Sequence, residues 1–209
     1  MPIRAVVFDL GGVLERIDDF DAVVSAAWHE RLGMSPEEFR AALDDVDPFR
    51  LSETGQMSEA EWAARCGSYL HLSPAQQREF AADVWDWYCG ELDEELVAFA
   101  ASLKSRARTA IISNSVDGAR REELSRYALD EIFDPIIYSH EVGLAKPDPA
   151  IFELACSLMD VPPTEMIFVD DVPGHVTAAQ GLGIHAIAHR TTPETMAKIN
   201  SVLVGGRDP

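Results

Sequence analysis

Residues 3–14 read IRAVVFDLGGVL, and this stretch decides the fold. Ile3 to Phe8 is a short apolar run rich in β-branched side chains. It stops at Asp9, and Gly11 and Gly12 follow. A strand buried on both faces of a parallel sheet reads as a continuous apolar run, and paired glycines mark a tight turn. The same stretch has the early Arg and apolar segment of a short signal peptide. However, Asp9 interrupts it, and no small-residue cleavage site follows a long enough apolar region. The expectation is a buried first strand with a carboxylate at its carboxyl end.

Outward from that strand the rhythm changes twice. From about Asp18 to Gly90, Trp28, Leu32, Phe39, Leu43, Trp62, Tyr69, Phe80 and Val84 recur at helical intervals. Ser35-Pro36-Glu37-Glu38, Ser58-Glu59-Ala60-Glu61 and Ser73-Pro74-Ala75-Gln76 carry helix-start chemistry, predicting roughly four helices and no strand. After Leu92, helices over 94–105, 118–127, 149–159 and 176–182 alternate with strands over 107–113, 135–138, 166–169 and 184–188. That alternation implies a parallel sheet covered on both faces. The expected fold class is α/β, with a core from 1–16 and 91–209 and a helical cap, 17–90, inserted after strand one.

The chain has 209 residues, 47% apolar and 25% charged, ordinary values for a globular protein. No apolar run is long enough to span a bilayer. The net charge of −19 argues against nucleic acid and anionic membranes as partners. Cys66, Cys89 and Cys156 are far apart and without CxxC spacing, so a reducing cytoplasm is the simplest setting.

Ligands of parallel α/β sheets bind beyond the carboxyl ends of the strands. The residues expected there are Asp9, Ser113-Asn114, Lys146 and Asp170-Asp171. Together they suit phosphoryl transfer. A carboxylate can attack phosphorus, and the charge on the transferring group calls for donors and cations around it. Ser113 supplies a hydroxyl and Lys146 a cation. The turn Leu10-Gly11-Gly12 supplies close backbone N–H groups. Mg²⁺ prefers hard oxygen ligands, which Asp9, Asp170 and Asp171 offer.

The segments VVFDLGGVL (6–14), IISNS (111–115), GLAKPDPAIF (143–152) and IFVDDVPGHVTAAQGLGI (167–184) resemble, in order and spacing, the motifs of the haloacid dehalogenase-like (HAD) hydrolase superfamily. The resemblance covers nearly the whole chain and implies a Rossmann-like core with a C1 cap. Within the cap, SETGQMSEAEW (52–62) resembles a subgroup that includes bacterial sugar-phosphate phosphatases and the N-terminal phosphatase domain of epoxide hydrolases. The roles implied are Asp9 as nucleophile and Mg²⁺ ligand, and Ser113 with Asn114 as phosphoryl holders. Lys146 would neutralise nucleophile and phosphate. Asp171 would be a metal ligand with Asp170 as ligand or neighbour, and Gly11 would offer its carbonyl to the metal. The implied substrate is a small phosphorylated metabolite such as a sugar phosphate, turned over by a monomer or homodimer.

One position departs from the family pattern. Most of its phosphatases have a second Asp two residues after the nucleophile, which protonates the leaving oxygen; here Gly11 stands there. General acid–base catalysis contributes about 10²- to 10⁴-fold. A better leaving group, or Glu15, His140 or a cap carboxylate, is expected to compensate. Two other readings are a 2-haloacid dehalogenase and a weakened protein that binds a phosphorylated ligand or partner. Dehalogenases of the family usually carry an aromatic residue at the Gly11 position and lack the acidic pair. Elsewhere, Trp85, Trp87 and Tyr88 are expected to pack the cap, with lining a substrate pocket as the alternative reading. His175 is expected to orient the acidic loop, and Arg120-Arg121-Glu122-Glu123 to form a solvated helix face. Glu53 and Gly55 are read either as a close approach of the cap to the site or as a plain turn.

Overall fold

The computed structural model describes residues 2–205. The opening run forms β1 (Ala5–Phe8), all four residues fully buried. The chain then makes a short strand β2 (Glu15–Arg16) and enters the helical insert. A π-helical turn, Asp21–Ser25, leads into α1 (Ala26–Leu32), followed by α2 (Pro36–Asp44), α3 (Glu59–Tyr69) and α4 (Pro74–Cys89). Ser35, Ser58 and Ser73 are the N-caps of α2, α3 and α4, with complete capping boxes at the first and last. Each such cap contributes about 1 kcal/mol, which is why these three tetrapeptides mark the helix starts.

The insert buries Val24, Trp28, Phe39, Cys66, Leu70 and Phe80 in a hydrophobic cluster of its own. The chain returns through β3 (Glu91–Leu92), antiparallel to β2 with Arg16 opposite Glu91. It continues through α5 (Glu94–Ser102), β4 (Arg108–Ser113), α6 (Ala119–Arg126), β5 (Ile136–Tyr138) and α7 (Ser139–Val142). The last elements are α8 (Pro149–Met159), β6 (Met166–Asp170), α9 (Pro173–Gly181), β7 (His185–Ala188) and α10 (Thr192–Gly205).

The main sheet is five-stranded and parallel, ordered β5–β4–β1–β6–β7. Successive strand residues point to opposite faces. Val6, Phe8, Ile111 and Val169 therefore pack one way, with Leu96 and Ala100 of α5 and Ile199 of α10. Ala5, Val7, Ala110, Ile112 and Phe168 pack the other way, with Phe152 and Ala155 of α8 and Ala179 of α9. Phe8 sits opposite Ile111 on one side and Val169 on the other, which levels the carboxyl ends of three strands. Asp9, Ser113 and Asp170 consequently share one edge. Among the described residues no helix is long and apolar enough to cross a membrane.

Four elements were not expected from sequence. β2 and β3 are two residues each, too short for a periodic signal. α10 buries Thr192, Thr195, Ile199 and Leu203, a helical spacing that its threonines conceal. α7 is a single turn.

Candidate active site

Asp9 leaves β1 with its carboxylate held rather than free. Lys146 Nζ lies 2.6 Å from Asp9 Oδ1, and the Leu10 N–H donates to the same oxygen at 2.7 Å. Oδ2 is left without a hydrogen-bond donor among the described residues. Lys146 is itself buried and also binds Asp170 Oδ2 at 2.8 Å and the Ile112 carbonyl at 3.0 Å. The Asn114 side chain fixes this lysine from behind. Its amide NH₂ donates to the Lys146 carbonyl and its oxygen accepts from the Lys146 N–H, both at 2.8 Å. Asn114 thus spends its side chain on positioning Lys146. The Ser113 hydroxyl, buried beside it, has only a long 3.5 Å contact, to the Asn114 carbonyl.

The acidic pair divides its labour. Asp170 is fully buried and accepts from Lys146, from the Val172 N–H at 2.8 Å and from His175 Nδ1 at 3.1 Å. Burial works to raise its pKa, but the His175 hydrogen bond and the Lys146 charge prevail and hold it at about 2. His175 accordingly orients the loop. Asp171 is exposed, and its carboxylate lies over Gly12. A Cβ at Gly12, whose φ is +80°, would fall 2.6 Å from Asp171 Oδ2. Only glycine meets both the conformation and the close approach.

For Asp9, burial pushes the pKa up to about 7, with Lys146 opposing and Asp170 reinforcing the shift. Two buried carboxylates, Asp9 and Asp170, thus share one buried lysine. Donor atoms of Asp9, Asp170 and His175 lie within 4.8 Å of one another. Asp170 and His175 are bonded to each other, so the oxygen donors still open beside them are Asp9 Oδ2 and the exposed Asp171 carboxylate. Hard oxygen donors and surplus negative charge fit Mg²⁺.

Gly11 leaves no carboxylic acid at the second position after Asp9. Of the expected substitutes, His140 Nδ1 shares a hydrogen bond with the Ser115 hydroxyl at 2.7 Å, and the cap carboxylate Glu59 is held by Arg121 and Trp85. Glu15 is different. It is buried, with Oε1 unpartnered, and burial, then Glu123, then Asp9 push its pKa up to about 9. Glu123 corrects the expectation of a solvated face over 120–123. It is buried and accepts the Tyr138 hydroxyl at 2.5 Å, while Arg121 remains exposed. An acidic cluster behind Asp9 was therefore missed; the signal was a Glu spaced to face the sheet within a charged helix.

The insert rests on this edge of the core. Gly55 has φ +70°, and a Cβ there would lie 2.1 Å from the His140 carbonyl oxygen. The neighbouring Glu53 carbonyl accepts the Ser139 hydroxyl at 2.6 Å. Residues 53–55 are therefore a close backbone approach to α7 rather than a plain turn.

A family model for haloacid dehalogenase-like hydrolases matches residues 3–183. The chain belongs to that family. As a HAD-family chain it is a hydrolase, and its curated relatives include phosphatases. It is 26% identical over 212 residues to D-ribitol-5-phosphate phosphatase of Bacteroides thetaiotaomicron, covering 96% of this chain and 98% of that one. It is 28% identical over 222 residues to bifunctional epoxide hydrolase 2 of Sus scrofa, covering 97% of this chain. Of that longer relative it spans only 39%. In fold it is similar to a HAD family enzyme of Bacteroides thetaiotaomicron solved as a magnesium complex, with TM-score 0.76 and 21% identity, covering 91% and 94% of the two chains.

Proposed function

We propose that this HAD hydrolase is a Mg²⁺-dependent phosphomonoester hydrolase that works on a small phosphorylated metabolite through an aspartyl-phosphate at Asp9. The observation that carries this is Lys146 bridging Asp9 and Asp170 while one oxygen of Asp9 stays free. Asp9 Oδ2 attacks phosphorus as the bond to the leaving oxygen breaks. Lys146, Ser113 and the Gly11 N–H stabilise charge on the phosphoryl oxygens. Water then attacks the same phosphorus, the Asp9–phosphorus bond breaks, and phosphate and the free carboxylate are released. Asp9, Asp170, Asp171 and the Gly11 carbonyl would hold Mg²⁺, which when bound neutralises nucleophile and phosphate charge.

The phosphatase among its relatives supports this reading, as does the Asp170-Asp171 pair, which the dehalogenase reading does not need. We place 17–90 as a cap on a core of 1–16 and 91–209, opening to admit substrate and closing to exclude water. Three free, buried cysteines accord with work in a reducing compartment, the cytoplasm.

The test is phosphate release from acetyl phosphate and p-nitrophenyl phosphate with Mg²⁺ or EDTA. Asp9→Asn is expected to lower the rate by about 10⁴-fold or more. Release that survives both EDTA and Asp9→Asn, or halide release from 2-chloropropionate alone, would overturn the proposal.

A further inference from the structure

A cavity of about 580 Å³ lies between the insert and the loop after β4. That is the size of small-molecule sites, roughly 300–1,000 Å³. Its walls include Phe20, Met57, Trp62, Val84, Trp85 and Tyr88. Trp85 and Tyr88 also pack against the core cluster that contains Leu10, Val13 and Leu14 of the nucleophile turn. These aromatic residues thus line a cavity as well as pack, so both readings of the group apply. Asp9, Ser113 and Lys146 do not line the cavity. The link runs through Val116, which closely follows Ser113-Asn114 in sequence. It also runs through Tyr88, which lines the cavity and packs on the core cluster holding Leu10.

The polar groups around this space are already committed. The Ser52 hydroxyl donates to Asp47, and the Ser58 hydroxyl caps α3. Glu59 accepts the Trp85 indole N–H at 2.9 Å and two Arg121 hydrogen bonds. Asp117 accepts the Glu59 N–H at 2.9 Å, and the Trp87 indole N–H goes to the Asp18 carbonyl at 2.8 Å. A site built for a polyol presents open donors and acceptors, because each substrate hydroxyl left unpaired on burial is penalised. This one offers aromatic faces and the Tyr88 hydroxyl.

The second observation is Gly11. Without a positioned acid, the leaving oxygen departs with its charge. A phenol, with pKa near 10, tolerates this far better than an alcohol, whose acidity is near that of water at about 16. An apolar chamber and a missing acid point to the same organic group. We infer that the substrate is an aryl phosphate, its one- or two-ring apolar body seated among Trp62, Trp85 and Tyr88. This inference rests on the phosphatase reading above.

The experiment compares kcat/KM of the full chain with Mg²⁺ for acetyl phosphate, ribitol 5-phosphate, hexyl phosphate, phenyl phosphate and 4-butylphenyl phosphate. The butyl group leaves the phenol's acidity nearly unchanged and adds apolar surface, so a gain of about tenfold or more over phenyl phosphate is expected. Phenyl phosphate should in turn exceed hexyl phosphate. Ala63→Phe, which narrows the cavity, is expected to bring the butylphenyl-to-phenyl ratio close to unity. Ribitol 5-phosphate matching the butylphenyl ester, or a ratio that Ala63→Phe does not move, would overturn the inference. Turnover of acetyl phosphate without any butyl gain would overturn it and leave the phosphatase standing. Silence on all five substrates would remove both.

Discussion

At the strand ends, Asp9, Lys146 and Asp170 are charged, buried and tied to one another at 2.6 and 2.8 Å. A few residues away, the chamber under the insert is walled by Phe20, Trp62 and Trp85, and its polar atoms are turned to protein partners. The contrast matches the two tasks of the proposed reaction. Stabilising a phosphoryl group requires charges fixed before the reaction, where water does not weaken them. Receiving an organic group requires shape and apolar area, with few groups that insist on a hydrogen bond.

The largest expected effect comes from breaking the charged half. Lys146→Met leaves Asp9 and Asp170 buried without their cation, and a loss of about 3–5 kcal/mol is expected in urea unfolding. A loss under about 1 kcal/mol would mean that water already compensates those carboxylates. The next effect crosses between the halves. Gly11→Asp restores an acid at a position where a Cβ meets only the tip of Ile17, 2.9 Å away, which can move. Alkyl phosphates should gain about 10²-fold and acetyl phosphate much less. Equal gains would sink the account of Gly11.

A smaller effect is expected behind the nucleophile. Glu15 and Glu123 have folded pKa values raised to about 9 and about 7, chiefly by burial. Groups raised in this way lend their full stability below their unfolded pKa and lose it as pH rises through the folded value. The melting temperature of the wild type should therefore fall between pH 5 and pH 9, against the pull of Arg126 on Glu15. Glu15→Gln should flatten that slope; a parallel slope in the variant would show that Glu15 is ionised throughout. The smallest effect belongs to the rim. Arg121 is 59% exposed in its ion pair with Glu59, so Arg121→Ala should cost no more than about 0.5 kcal/mol.

The charged half was legible in sequence because it sits at strand ends, and buried strands announce themselves as apolar runs closed by a polar residue. Asp9, Ser113 and Asp170 were placed by that rule alone, and Lys146 by the loop that follows β5. The apolar half was not legible. Trp85 and Tyr88, at i and i+3, mark one helix face, and the pattern is the same whether that face meets side chains or an open cavity. Glu123 was misread because a charged run carries no mark of the one position that turns inward. Asn114 was grouped with the phosphate ligands because its neighbour Ser113 faces the site; its pairing with the Lys146 backbone depends on a loop 32 residues away.

The two-stranded ribbon of β2 and β3 has a consequence for how such proteins diversify. Arg16 and Glu91 are register partners, so the insert leaves and re-enters the core at points separated by one strand spacing, about 5 Å. The helices between them form a detachable module plugged into a fixed socket. Replacing residues 17–90 with a bundle of another shape would remodel the chamber for the departing group while leaving the register of β1 against β4 and β6 intact. On the proposed function, a lineage can in this way trade one clientele for another while keeping the strand-end chemistry.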